Sequence, residues 1–256
     1  MRSMYADAGS GETQEAAVLK HGGPVAAAPL ADDIDTMQWI LDEVRAERVL
    51  PVVEAEAIVA SLFIEQRATG GLTVPLAKAG DARSYHAVHA LNVSMLAMAM
   101  GDELQFDIAA IRRIGLASLL HDIGMMRVPP EVVGKQGQIT PEEREQVKQH
   151  PVDGARILIA AGAQLDLAAV VAYEHHLKMD GSGYPRLHYP RSPHYVSRLV
   201  QVCDVYEALN SKRPYRPAWP TEIILSYLNE RAGFEFHPAL TGAFAALVQR
   251  GVITSI

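Results

Sequence analysis

Between Ser84 and Met100 the residues His86, His89, Val93, Leu96 and Met100 recur at alternating steps of three and four. That spacing predicts one helix with two histidines on its apolar face. A second apolar helix is predicted over Asp107 to Leu120, running directly into His121-Asp122. Thr140-Pro141-Glu142-Glu143 reads as a helix start, with Thr at the N-cap, Pro at the first helical position and Glu at the third. His150 precedes Pro151, which biases its backbone away from the helical region and predicts a break there. Helices are predicted over Val152 to Ala161, closed by Gly162, and over Asp166 to His176. Ser192-Pro193 is expected to open a long helix reaching Leu209, followed by helices over Thr221 to Arg231 and Pro238 to Gln249.

Upstream the pattern is sparser. Ile34, Met37, Leu41 and Val44 predict a helix over Asp33 to Glu47, and Ile58, Leu62 and Phe63 mark another over Val52 to Arg67. ATGGLTVPLAKAG (68–80) reads as a linker. Residues 1–30, rich in Ala and Gly and without periodicity, are expected to form a mobile tail. No convincing alternation of period two occurs, so the fold class expected is all-α. The expected organisation is a tail (1–30), a helical extension with its linker (31–80) and a helical domain (81–256).

Composition narrows the function classes. Of the 256 residues, 49 % are hydrophobic, enough for a large core. A net charge of −7 argues against a general nucleic-acid or anionic-membrane surface, so any phosphate binding must come from a local cluster of bases or from metal. The single cysteine, Cys203, excludes a disulfide framework within the chain and a thiolate zinc site. No apolar run approaches the ~18 residues of a membrane span, and no basic segment followed by an apolar one opens the chain. The expected location is the cytoplasm.

The candidate chemistry lies in five of the ten histidines and two aspartates. His121-Asp122 alone is weak evidence, but an acid at the C-terminal end of an apolar helix opposes the macrodipole and calls for a cation. His175 and His176, about a third of a turn apart on a helix, point in different directions and suit two metals, or a metal and a phosphate. The alternative is an exposed pair. Asp204 sits at the edge of a buried face made by Val196, Leu199, Val200 and Cys203, where a carboxylate needs either a metal or a basic partner. Taken alone, His89 and His150 each read more readily as satisfied core histidines than as ligands, and His86 as a residue behind the site or on the surface. Imidazole and carboxylate donors without thiolate suit Fe or Mn better than structural zinc. Asp180 to Pro185, DGSGYP, is a loop in which two glycines permit close backbone approach, or simply a tight turn. Lys212, Arg213 and Arg216 make a basic segment that could clamp phosphate or merely be solvated.

Taken in order, HDIGMMRVPPEVV, GQITPEE, KQHPVDGARIL, YEHHLKMDGSGYP, VCDVYEALNSKRPYR and GFEFHPAL resemble the HD-GYP family, a branch of the HD phosphohydrolase superfamily. The resemblance covers Arg83 to Arg250 and is specific through the combination of its motifs. It implies a helical bundle and a metal set of His89, His121, Asp122, His150, His175, His176 and Asp204, with His121 and Asp122 catalytic and Asp122 bridging two divalent ions. Fe or Mn is favoured; Ni, Co or Zn is compatible. It further implies metal-assisted hydrolysis of cyclic di-GMP or a related cyclic dinucleotide to linear dinucleotide or GMP. Arg213 and Arg216 would hold phosphate oxygens, and Asp180, Gly183, Tyr184 and Glu207 would border the nucleotide. Partners implied are the cyclic dinucleotide, diguanylate cyclase (GGDEF) domains and a second copy of the chain, with no nucleic-acid polymer and no membrane.

Four positions depart from the family string. Met125 stands where the family has a phosphate-contacting Lys, Leu177 replaces a Glu, Glu207 replaces an Asp, and Tyr85 occupies the place of a Glu ligand found in trinuclear members. Tyr85 therefore favours two metals. Met125 removes a donor worth about 10²–10³ in rate at a transition state, which Lys178 or Arg127 would have to replace. Two alternatives follow: a metal-loaded module of low activity serving as a signalling scaffold, and a phosphohydrolase for another phosphoester.

Overall fold

The computed structural model describes residues 29–68, 72–79, 84–135, 137–187, 191–212 and 216–255. Most of the expected tail, residues 1–28, lies outside them, as does Arg213. The helices α1 (Pro29–Arg45) and α2 (Val52–Glu65) pair with each other and pack on α3 (Tyr85–Glu103) and α4 (Ile108–Leu119). Met37, Ile40, Ile58 and Leu62 are fully buried in one core that continues through α3 and α4 to Leu240, Phe244 and Leu247 of the last helix.

α3 is the axis of the molecule. Every residue from Ala87 to Gly101 is buried, and α3 is packed by α1, α2, α4, the long C-terminal helices and a short strand. The single apolar face expected from its spacing is therefore too narrow; a helix enclosed by neighbours is buried all round. α4 is started by Asp107, whose side chain accepts from the Ala110 amide at 2.7 Å. It ends at Leu119, and the chain turns through His121-Asp122 into a 3₁₀ turn, Ile123–Arg127.

A one-turn α5 (Pro130–Val133) leads to α6 (Pro141–Val147), which begins on the full capping box expected: Thr140 accepts from Glu143, and the Glu143 carboxylate accepts from the Thr140 amide at 2.7 Å. The break at Pro151 falls earlier than expected. The chain turns at Lys148-Gln149, and α7 (His150–Ala161) already includes His150, with Pro151 in its first turn. Proline is tolerated there because the amide it lacks has no intrahelical acceptor.

Helix α8 (Asp166–Glu174) stops just before the histidine pair, and α7 lies against both α8 and the 3₁₀ turn. The long helix α9 (Tyr195–Asn210) starts later than Ser192-Pro193 suggested, because His194 is its cap and accepts from the Val196 amide at 3.2 Å. α10 (Thr221–Glu230) and α11 (Pro238–Gln249) follow as expected. One strand pair was not expected: β1 (Val74–Leu76), inside the presumed linker, pairs in parallel with β2 (Ile253–Ser255). Three-residue strands joined across most of the chain leave no readable period in the sequence. No helix among the described residues is long and apolar enough to cross a membrane.

Candidate metal centre

The seven residues singled out by the sequence converge from five segments. His89 comes from α3, His121 and Asp122 from the turn after α4, and His150 from the start of α7. His175 and His176 follow α8, and Asp204 comes from α9. They form two adjoining groups, Asp122 with His150, His175 and His176, and His89 with His121 and Asp204; one donor atom from each member lies within 4.8 Å of the others in its group. Asp122 faces both. Its Oδ1 is 3.2 Å from His150 Nε2 and 3.5 Å from His175 Nε2, while Oδ2 is 3.7 Å from His121 Nε2 and 3.9 Å from His89 Nε2. Asp204 Oδ1 lies 3.3 Å from His89 Nε2.

The far side of each ring fixes its near side. His121 Nδ1 donates to Ser118 O at 2.7 Å, His150 Nδ1 to Val147 O at 2.7 Å, and His175 Nδ1 to Ala172 O at 2.9 Å. A carbonyl can only accept, so these Nδ1 atoms carry protons. His89 Nδ1 likewise donates to the Glu207 carboxylate. In the neutral rings all four Nε2 atoms then present lone pairs toward the aspartates. His150 Nε2 and His175 Nε2 face each other at 3.3 Å, an arrangement that needs a proton or a cation between two lone pairs. His121 Nε2 is buried without a hydrogen-bond partner. Such an orphan costs about 1–3 kcal/mol unless something else satisfies it. These donors fit divalent ions: oriented imidazoles and carboxylates without thiolate, with His89, His121, His150 and His175 each backed by an acceptor on Nδ1.

Electrostatics agree. Burial works to raise Asp122, but His121, His150 and His175 outweigh it and hold the carboxyl well below its ordinary range. Burial likewise opposes ionisation of Asp204, and His89 and His121 reverse it. His121, fully buried, is pushed down to about 4, despite the two aspartates that pull the other way. His176 is lowered by burial and by the neighbouring His175. His89 moves upward, because Glu207 and Asp204 outweigh the burial that would lower it.

The adjacent pair His175-His176 behaves differently from the expectation. Both rings join the same group, with centroids 4.0 Å apart. α8 ends at Glu174, so the separation of a continuing helix does not apply. The start of α7 reaches this group because Gly124 and Gly154 let two backbones touch. A Cβ on Gly124 would lie 2.0 Å from His150 O and 2.5 Å from Gly154 N.

The groups open into a cavity of about 390 Å³ lined also by Tyr85, His86, Met125, Tyr184 and Tyr227. Tyr184 is carried there by its loop and packs 4.5 Å, centroid to centroid, from His176. Gly183, at φ +100°, allows the approach, since a Cβ would meet His176 O at 2.1 Å. Asp180 is exposed, is not among the described residues that line the cavity, and closes the loop by accepting from the Ser182 amide at 2.9 Å. Glu207, expected beside the nucleotide, is buried behind His89 and also accepts from Asn92 and Ser211. Arg216, expected on phosphate, instead donates to Ala208 O at 2.6 Å and to Leu209 O at 3.3 Å, capping α9. Neither proposed stand-in for the missing lysine reaches the cavity. Lys178 pairs with Glu235 at 3.0 Å and Arg127 with Glu47 at 3.1 Å. Tyr227 gave no sequence signal. Glu174, buried and bonded to Arg191, the His194 amide and Ser197, could have been noticed only as an acid inside an apolar helix.

The model of the family described as HD domain matches residues 63–240, more than half of the chain, which therefore belongs to the HD domain family. Within it, the motif string resembles that of the HD-GYP type. The chain is 35 % identical over 171 residues to a cyclic di-GMP phosphodiesterase, PA4108, of Pseudomonas aeruginosa, covering 67 % of this chain and 41 % of that protein. It is 34 % identical to the cyclic di-GMP phosphodiesterase response regulator RpfG of Xanthomonas campestris pv. campestris (59 % and 40 % covered), and 32 % identical to 3′3′-cGAMP-specific phosphodiesterase 2 of Vibrio cholerae (70 % and 35 %). The chain thus spans about two fifths of the length of the first two relatives or less than that of the third. Among solved structures, Bd1817, an HDG"Y"P protein of Bdellovibrio bacteriovorus, shares the fold with a TM-score of 0.62 at 14 % identity, covering 89 % of this chain and 75 % of its own.

Proposed function

We propose that this chain is a metal-dependent phosphodiesterase that hydrolyses cyclic di-GMP or a related cyclic dinucleotide to the linear dinucleotide or GMP. The observation that supports it most is the set of four buried imidazoles, each anchored through Nδ1, whose Nε2 atoms surround Asp122 and Asp204. His89, His121 and Asp204 would hold one ion, and His150, His175 and His176 the other, with Asp122 shared through its two oxygens. Two divalent ions, Fe or Mn by donor type, supply Lewis acidity and an activated water at neutral pH. The protein's part is to fix this donor set, exclude bulk water from a recessed cavity, and place Tyr184 beside the nucleotide. The experiment is direct: load the purified protein with Mn or Fe, measure metal content, and add cyclic di-GMP. Two ions per chain and linear product that disappears in Asp122→Ala are expected; two ions with no turnover of any cyclic dinucleotide would sink the reading.

A second reading, a metal- and nucleotide-binding module of low activity, is favoured by Met125 on the cavity wall and by the distant engagements of Lys178 and Arg127. Met125→Lys separates the two: a gain in turnover of about 10²-fold or more would place the chain in the second class.

A further inference from the structure

Tyr184 and Tyr227 line the cavity from different parts of the chain. Tyr184 ends a small hairpin that starts at His176. Leu177 and Gly183 face each other there in an antiparallel bridge, Lys178 donates its amide to Ser182 O at 2.9 Å, and Tyr184 donates its amide to His176 O at 3.4 Å. Tyr227 lies on α10, and the guanidinium of Arg231, one turn later, stacks over its ring at 3.8 Å from the centroid. Glu235 touches both parts. Its Oε1 is 3.0 Å from Lys178 Nζ on the hairpin, and its Oε2 is 3.6 Å from Arg231 Nε. Its backbone makes the same link. The Glu235 carbonyl accepts from the Met179 amide at 3.3 Å, the Glu235 amide donates to Arg231 O at 2.9 Å, and Phe234 O accepts from the Asp180 amide at 2.9 Å.

Resting on the phosphodiesterase reading, we infer that Glu235 is a positioning residue for the nucleotide. It ties the hairpin that carries Tyr184 to the end of α10 that carries Tyr227, and so sets the spacing of two aromatic walls of the cavity. A nucleobase presents a flat face that suits such walls. The carboxylate acts on the hairpin rather than on the whole fold. A partly exposed ion pair adds little to global stability, and the hairpin keeps its other anchors when the pair is removed: the backbone bonds to residues 234 and 235, and Gln201, which donates to Leu177 O at 3.2 Å. What the two ion pairs add is a fixed angle between hairpin and helix, with Lys178 and Arg231 each held by one carboxylate oxygen.

The test uses Glu235→Ala, Glu235→Gln and Lys178→Ala in the Mn-loaded protein. It reads metal content, KM and kcat for cyclic di-GMP, and hydrogen exchange by mass spectrometry. Each variant is expected to raise KM about fivefold or more with kcat and metal content unchanged. Exchange in residues 177–184 is expected to quicken by about fivefold or more, with residues 121–127 unaffected. Lys178→Arg, which keeps the charge, is expected to return both readouts to those of the unsubstituted protein. Unchanged exchange in the hairpin would overturn the inference. So would faster exchange with unchanged KM, which would leave Glu235 a structural tie only, or a KM rise matched by loss of metal, which would place the effect on His176. If Glu235→Ala does not fold, Glu235→Gln and Lys178→Ala decide. Failure of the phosphodiesterase reading appears separately, as absent turnover in the unsubstituted protein. The exchange readout needs no turnover, and a hairpin indifferent to position 235 sinks the assignment in either case.

Discussion

Glu207 shows how a single buried carboxylate can shape a site it does not enter. It accepts from His89 Nδ1, from Asn92 at 3.1 Å and from Ser211 at 2.6 Å. Burial would raise its pKa, but His89 outweighs that and holds it below the ordinary glutamate range. The charge keeps the proton of neutral His89 on Nδ1, orients the ring, and makes Nε2 a stronger donor to metal. Glu207→Gln preserves the shape and removes the charge. Metal affinity is expected to fall about 10–100-fold with unchanged helix content, checked by metal titration and circular dichroism. Unchanged affinity would reduce Glu207 to a packing residue.

At the scale of elements, the centre depends on how closely the turn after α4 meets the start of α7. Gly124 and Gly154 make that contact, backbone against backbone. Gly124→Ala forces a methyl into His150 O and is expected to cost about 3 kcal/mol of stability, or to abolish folding. Gly242→Ala is the control. Its Cβ would meet nothing within 4 Å in the interior of α11, so it is expected to stabilise by about 0.5–1 kcal/mol. Thermal unfolding of the two variants reads the difference. Equal effects would mean that the close approach is not a constraint.

At the scale of the molecule, metal and fold are linked. α3, the turn after α4, α7, α8 and α9 all contribute to the His/Asp groups, so an ion bound there would tie five segments together. Chelation is expected to lower the unfolding temperature reversibly. The pH dependence of uptake has a fixed sign. His89 is raised by Glu207 and Asp204 against burial, and His150 by Asp122 against burial. In the metal-free protein both retain protons to higher pH than free histidine, and a metal must displace them from Nε2. Affinity is therefore expected to rise from about pH 6 to about pH 8, with protons released on binding. His121, pushed down to about 4, contributes none at neutral pH. Calorimetry in buffers of different ionisation enthalpy measures the release; affinity that falls with pH would contradict the assignment.

The sequence by itself determined most of the helices, the capping at Thr140 and the seven candidate ligands, because local periodicity and short motifs are properties of neighbouring residues. It could not place residues whose roles depend on contacts far along the chain. Glu207 and Arg216 lie in a motif that reads as substrate-facing, yet α9 turns one behind His89 and the other onto its own last carbonyls. The β1–β2 pair joins residues about 180 positions apart, where three-residue strands leave no period. Met125 was legible as a departure, but only the packing showed that Lys178 and Arg127 lie outside the cavity and that His86 does line it. The candidate ligands are a matter of residue type. Which of their neighbours line the cavity was decided by the crossing of α3, α9 and the turn after α4.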